Sequence, residues 1–112
     1  MLPPETPIRE GIIAMGEARA GSVLIASSDR QLLGIVTDGD LRRHLLDGGD
    51  LITLPLSDIM TKDPVAIHHT APVVEVVQLF ETHAIDDVPV VDANRRLVGL
   101  IDLQDLPKIK LL

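Results

Sequence analysis

The chain repeats itself. Shifted by 65 positions, Thr6 to Leu45 falls on Ala71 to Lys110 without a gap. "TPIREGIIAM" lies over "APVVEVVQLF", and "VLIASSDRQLLGIVTDGDL" over "VPVVDANRRLVGLIDLQDL". Only 8 of these 40 positions are identical, among them Pro7 with Pro72, Glu10 with Glu75, Arg30 with Arg95, Gly34 with Gly99 and Asp40 with Asp105. Most mismatches exchange one aliphatic for another. A single register that serves a helix, two strands and a second helix constrains the topology: the chain is a tandem of two like units.

Each unit can be read locally. Pro7 and Pro72 suit a helix's first turn, where the N–H has no partner in any case, and Thr6 is placed to cap the first helix. In the second copy Val73, Val76, Val77, Phe80 and Ala84 follow the spacing of one buried face. In the first, Ile8, Ile12 and Met15 do so, with Gly11 and Gly16 each weakening the helix by about 1 kcal/mol relative to alanine. Two aliphatic runs follow, "SVLIA" and "LLGIV" or "DVPVV" and "LVGLI", joined by the turns "SSDRQ" and "DANRR". These are strands of a hairpin. A last helix starts near Asp38 and near Leu103, and Pro107 predicts that the second is short or distorted. "LSDIMTKDPVAIHHT" adds one more short strand, about "VAI", before the second copy. Its counterpart before the first copy would lie upstream of Met1, which predicts a fragment of a longer protein. "LDGGDLITLP" reads as a linker.

Composition removes several function classes. At 112 residues the chain can bury a core without cross-links. It has no cysteine, which excludes a disulfide and a thiolate zinc site. Ten basic residues against seventeen acidic, a net charge of −7, argue against a nucleic-acid partner, whose phosphates need clustered Lys and Arg. Phe80 is the single aromatic residue, so no base-stacking platform exists. No run of about 18 apolar residues is present to span a membrane. "MLPPETPIRE" lacks the basic start and apolar core of a signal peptide.

Chemistry concentrates in "GIVTDGDLRR", residues 34 to 43. Two readings stand. Thr37 or Asp38 caps a helix and Asp40 complements its dipole, with the arginines solvated. Alternatively, Asp40 accepts the vicinal hydroxyls of a ribose and Thr37 donates to a phosphate oxygen. In that reading Gly39 lets the backbone approach closely, Arg42 and Arg43 meet the anion, and the exposed N–H groups of the helix start favour it. A divalent metal on Asp38-Gly39-Asp40 is not expected, since a calcium loop needs more oxygen ligands. His68 and His69, adjacent on a strand, point to opposite faces and make no zinc pair. No nucleophile–base arrangement, Walker loop or carboxylate pair argues for catalysis.

The ordered set of "GIVTDGDL", "DIMTKDPVAI" and "DVPVVDANRRLVGLI" resembles the CBS domain pair, or Bateman module, over nearly the whole chain. The resemblance implies an α+β fold: a tandem of two pseudo-symmetric β-α-β-β-α repeats packed through small sheets. Repeat 1 covers 1–46 without its N-terminal strand, a linker covers 47–56 and repeat 2 covers 57–112. "LLGIVTDGDLRRHL" followed by "DIMTKDP" is similar to the C-terminal CBS pair of the arabinose-5-phosphate isomerase family. That likeness implies a cytoplasmic regulatory appendage without catalytic residues, joined to an N-terminal sugar isomerase domain on the route to the lipopolysaccharide sugar Kdo. It also implies a homodimer through the CBS modules, with the faces around Ile12, Met15, Val77 and Phe80 available for contact.

CBS pairs bind adenosyl or other nucleotide ligands between their repeats. The implied effector is a nucleotide or a CMP-sugar, with no fixed cofactor and no metal. The implied ligand-binding set is Thr37, Asp38, Gly39, Asp40 and Arg42, with Asp105 in the second copy and Val65 and Ile67 in the strand after "MTKDP". The chain departs from the family at Asp102 and Gln104, where the family usually has histidine or asparagine and then histidine. Two acceptors, Asp102 and Asp105, without a donor suit a phosphate poorly. A module that binds nothing and only assembles subunits, and one serving another enzyme or a transporter, are the competing readings.

Overall fold

The computed structural model describes residues 1–48, 53–83 and 85–103. The chain divides into two compact units between Pro64 and Val65. In the first, helix α1 (Ile8–Ala18) precedes strands β1 (Ser22–Ala26) and β2 (Leu32–Thr37). Helix α2 (Asp38–Leu46), a 3-10 turn (Leu56–Asp58) and strand β3 (Thr61–Lys62) complete it. The sheet order is β1-β2-β3, antiparallel throughout. In the second unit, strand β4 (Ile67–His68), helix α3 (Val73–His83) and strands β5 (Asp87–Val91) and β6 (Leu97–Asp102) give the order β4-β5-β6. β4 runs parallel to β5, and β6 antiparallel to it. The α+β repeat expected from the sequence is the one observed.

The repeat register is kept in detail. A bulge falls between Ile25 and Ala26 and again between Val90 and Val91. The hairpin turns match: Arg30 N–H donates to Ser27 O at 2.9 Å, and Arg95 N–H to Asp92 O at 3.0 Å. Both arginines sit in the left-handed region, at φ 70° and 60°. In the second turn the Asp92 carboxyl is held below its usual value, first by the backbone N–H of Arg96 and also by that of Asn94. Its contribution to the turn is therefore present above the ordinary carboxylate range and is lost as pH falls through the lowered value.

The strand expected to be missing before repeat 1 has a remnant. Leu2 forms a parallel bridge with Ile25, the counterpart of Ile67 on Val90 in β4 and β5. Leu2 N–H donates to Leu24 O at 2.9 Å, and Ala26 N–H to Leu2 O at 3.0 Å.

The lead-in to the second sequence repeat packs on the first unit. Ile8 N–H donates to Leu54 O and Leu56 N–H to Thr6 O, both at 2.8 Å. Thr6 is therefore buried in a strap and does not cap α1. Pro7 holds the N-cap position, without a side-chain cap bond. Leu56 joins Ile8, Met15, Val23, Ile25 and Val36 in the first core. The sequence repeat and the packing unit thus have different boundaries: residues 57–64 belong to repeat 2 by sequence and to unit 1 by contact.

This strap explains the helix faces. Gly11 and Met15 are buried in α1, and Val76 and Phe80, their partners at +65, in α3. Ile8 is buried under the strap, whereas no such strap lies over its counterpart Val73 among the described residues, and Val73 is 53% exposed. Ile12 is exposed and Val77 half-buried, while Met15 and Phe80 are core residues. Ala84, the linker residues 49–52 and the helix expected near Pro107 lie outside the described residues.

Gly11 has a packing reason: a Cβ there would meet Leu56 Cδ2 at 2.7 Å. Gly16 has none, since nothing lies within 4 Å of its Cβ position. Gly16→Ala is therefore expected to stabilise the chain by up to about 1 kcal/mol, read as a raised urea midpoint at unchanged slope.

His68 and His69 do not point apart. β4 ends at His68, so alternation does not continue, and the two rings lie 4.6 Å apart at 33°. Among the described residues no group of three or more potential metal ligands forms. No helix among them is long and apolar enough to cross a membrane.

Candidate functional site

The cluster singled out in the sequence sits where β2 ends and α2 begins. Thr37 closes the strand in an extended conformation and is the N-cap of the helix. Its Oγ1 accepts the Asp40 N–H at 3.2 Å. Asp40 Oδ2 accepts the Thr37 N–H at 2.9 Å and lies 3.1 Å from Thr37 Oγ1, which donates to it. This is a reciprocal capping box, with aspartate in place of the more usual glutamate or glutamine. The Asp38 N–H donates to Gly21 O at 3.0 Å and ties the helix start to the entry of β1.

Asp40 is buried, its side chain only 6% exposed, and its other oxygen, Oδ1, takes an ion pair from Arg43 Nη2. The Arg43 side chain remains 70% exposed. The carboxylate is thus anchored on three sides by its own chain, and the Thr37 hydroxyl proton is committed to it. Oδ1 retains a lone pair for an outside donor.

Gly39 stands apart. It lies in the first turn of α2 without a left-handed φ. A Cβ placed on it would lie 3.4 Å from Arg43 Nη1 and 3.5 Å from Thr37 Oγ1. Those are ordinary contact distances, so neither backbone nor packing demands glycine. A Cβ there would touch a guanidinium nitrogen and a hydroxyl oxygen beside the helix start.

The remaining expected residues are placed as follows. Arg42 is exposed on α2, and among the described residues its side chain makes no hydrogen bond or ion pair. Val65 and Ile67 lie in the second unit. Val65 is 37% exposed, and Ile67 is buried in the core formed with Val76, Phe80 and Val88. Asp105 lies outside the described residues. The sequence reading offered both arginines to an anion and missed that Arg43 pairs with Asp40. Its spacing of three from Asp40 is the signal that separates it from Arg42, because such pairs share a helix face.

The family model described as "CBS domain" matches residues 1–47 and 56–109. The chain is 33% identical over 100 residues to the arabinose 5-phosphate isomerase GutQ of Salmonella typhi, covering 89% of this chain and 31% of that one. It is 38% identical over 102 residues to the protein RP505 of Rickettsia prowazekii, covering 91% and 31%. It therefore spans about a third of the length of these relatives. Among solved structures, the CBS domain protein PAE2072 from Pyrobaculum aerophilum, complexed with AMP, superposes with a TM-score of 0.86 at 26% identity, covering 96% of this chain and 82% of that one. The CBS domain pair of MJ0100, in complex with 5′-methylthioadenosine and S-adenosyl-L-methionine, gives 0.83 at 25% identity, covering 94% and 86%.

Proposed function

Since the chain belongs to the CBS domain family through both of its repeats, we propose that it is the ligand-sensing module of a larger cytoplasmic sugar-phosphate isomerase of the arabinose 5-phosphate type. It binds a nucleotide at the β2–α2 junction of its first repeat. Asp40 Oδ1 accepts a ribose hydroxyl, and the ligand's anionic part lies beside Gly39. Binding biases the attached isomerase through unequal affinity for two arrangements of the module. The module also joins subunits as a homodimer. The complexes of PAE2072 with AMP and of MJ0100 with adenosyl ligands support an adenosine-bearing effector. The likeness to GutQ supports the fused isomerase, and the reading frame upstream of Met1 is expected to encode it.

The observation that carries the reading is Gly39. The fold does not need it, the helix is weaker for it, and its repeat partner is Gln104. The experiment is calorimetry with adenine nucleotides, S-adenosylmethionine, cytidine nucleotides and CMP-sugars. At least one ligand is expected to bind, one per chain. Gly39→Ala should keep or raise the melting temperature, alanine being favoured by up to about 1 kcal/mol in a helix. It should weaken binding at least about tenfold, roughly 1.4 kcal/mol. Undiminished binding by this variant sinks the placement. Asp40→Ala is a poorer probe, because it also removes the capping box, worth about 1 kcal/mol, and strands Arg43.

The capping box itself favours a second reading, in which the cluster only starts a helix and the module only assembles subunits. No binding across the whole panel, together with a dimer that persists on dilution in light scattering, would establish that one.

A further inference from the structure

We infer that Arg43, and not its neighbour Arg42, makes this site prefer a phosphorylated nucleoside to a neutral one. The inference rests on the nucleotide reading above and deepens it. The two arginines are adjacent and chemically identical, yet α2 separates them. Arg43 lies three residues beyond Asp40, on the same face, and its Nη2 is paired with Asp40 Oδ1. Its Nη1 lies over Gly39, 3.4 Å from where a Cβ would be, and Thr37 Oγ1 is 3.5 Å from the same point. Arg42 has neither contact.

A guanidinium carries five N–H donors in a rigid fork. One edge can hold a carboxylate while the other is offered elsewhere. Asp40, buried, fixes the fork in place, so little freedom remains to be lost on binding. The free edge, on a side chain 70% exposed, still meets incoming ligand. The Thr37 hydroxyl proton goes to Asp40, which leaves Arg43 Nη1 as the side-chain donor beside Gly39. A ribose brings donors to Asp40 with or without a phosphate. Only a phosphate brings acceptors for the fork. The chain as a whole repels phosphate, with seventeen acidic residues against ten basic, so selection in its favour needs a fixed local cation. The counterparts of Gly39, Arg42 and Arg43 in the second repeat are Gln104, Pro107 and Lys108, so this arrangement belongs to the first.

The test is calorimetry of AMP and adenosine with the wild-type chain, Arg43→Gln, Arg43→Lys and Arg42→Gln, each with a melting curve. The wild type should bind AMP at least about tenfold more tightly than adenosine, the scale of a charge-assisted hydrogen bond. Arg43→Gln should bring AMP to within about threefold of adenosine. Arg43→Lys keeps the charge without the fork and should retain only part of the preference, a readout that holds even if the glutamine variant fails to fold. Arg42→Gln should keep the wild-type ratio. Preference surviving in both Arg43 variants, or lost in Arg42→Gln, overturns the inference. So does equal binding of AMP and adenosine by the wild type, which leaves the nucleotide reading standing. A wild type that binds neither ligand overturns this inference, and a blank across the wider panel removes the nucleotide reading as well.

Discussion

Leu56→Ala is expected to destabilise the first unit by about 2–5 kcal/mol, the range for truncating a buried leucine. By sequence Leu56 belongs to the approach to the second repeat. By packing it is 1% exposed, in a core with Ile8, Met15, Val23, Ile25 and Val36. The loss should appear as a lower urea midpoint. Hydrogen exchange should rise in β1 and β2 and much less in β5 and β6, because the cavity opens in one core only. A loss under about 1 kcal/mol, or one felt first in the second unit, contradicts the assignment of this segment. Gly11 supplies an internal control. Its Cβ position is 2.7 Å from Leu56 Cδ2, so Gly11→Ala alone crowds the contact. In the Leu56→Ala background the same methyl enters the space just vacated and adds helix propensity. The two changes should therefore be non-additive, with the double variant more stable than the sum of the singles predicts.

This segment marks where the sequence stopped being legible. The 65-residue register carried the elements that recur: the helix faces at Met15 and Phe80, the hairpin turns at Arg30 and Arg95, and the paired strands. All of these are local patterns, set by side-chain period and turn chemistry. The strap has no such pattern. Leu54 and Leu56 are one apolar pair after a glycine-rich stretch, and what fixes them is a backbone bridge to Thr6 and Ile8. A contact between residues some 50 positions apart leaves no periodic trace. The same holds for Leu2, where a single bridge stands for a strand. At the candidate site a cap at Thr37 or Asp38 was legible because capping is local too, while the reciprocal part of Asp40 in it was not. The pairing of Asp40 with Arg43 went unread, although the spacing of three places the two on one helix face. Gly39 was legible as a candidate, and its surroundings add that neither a left-handed φ nor a close contact requires it.

Gly34 and Gly99 are identical in the repeat, and they should respond oppositely to the same substitution. β3 runs along β2 in the first unit, pairing Gly34 with Lys62 and Ile35 with Thr61. A Cβ at position 34 would lie 2.6 Å from Met60 Sδ and 2.8 Å from Thr61 O. The methionine can swing aside. The carbonyl cannot, unless β3 leaves the sheet. Gly34→Ala is thus expected to cost about 1–3 kcal/mol, as overpacking does, and to release the amides of Thr61 and Lys62 to exchange. At position 99 the nearest atom is Val90 Cβ, at 3.9 Å. Gly99→Ala meets ordinary contact there and removes an entropic cost of glycine in a strand, so it should be neutral or stabilising by up to about 1 kcal/mol. Sequence symmetry alone demands equal effects, and close approach of β3 demands unequal ones. Equal losses at the two glycines would mean that β3 does not press on β2 in solution. A loss confined to Gly34 would mean that this glycine is kept by β3 and Gly99 only by the shared ancestry of the two repeats.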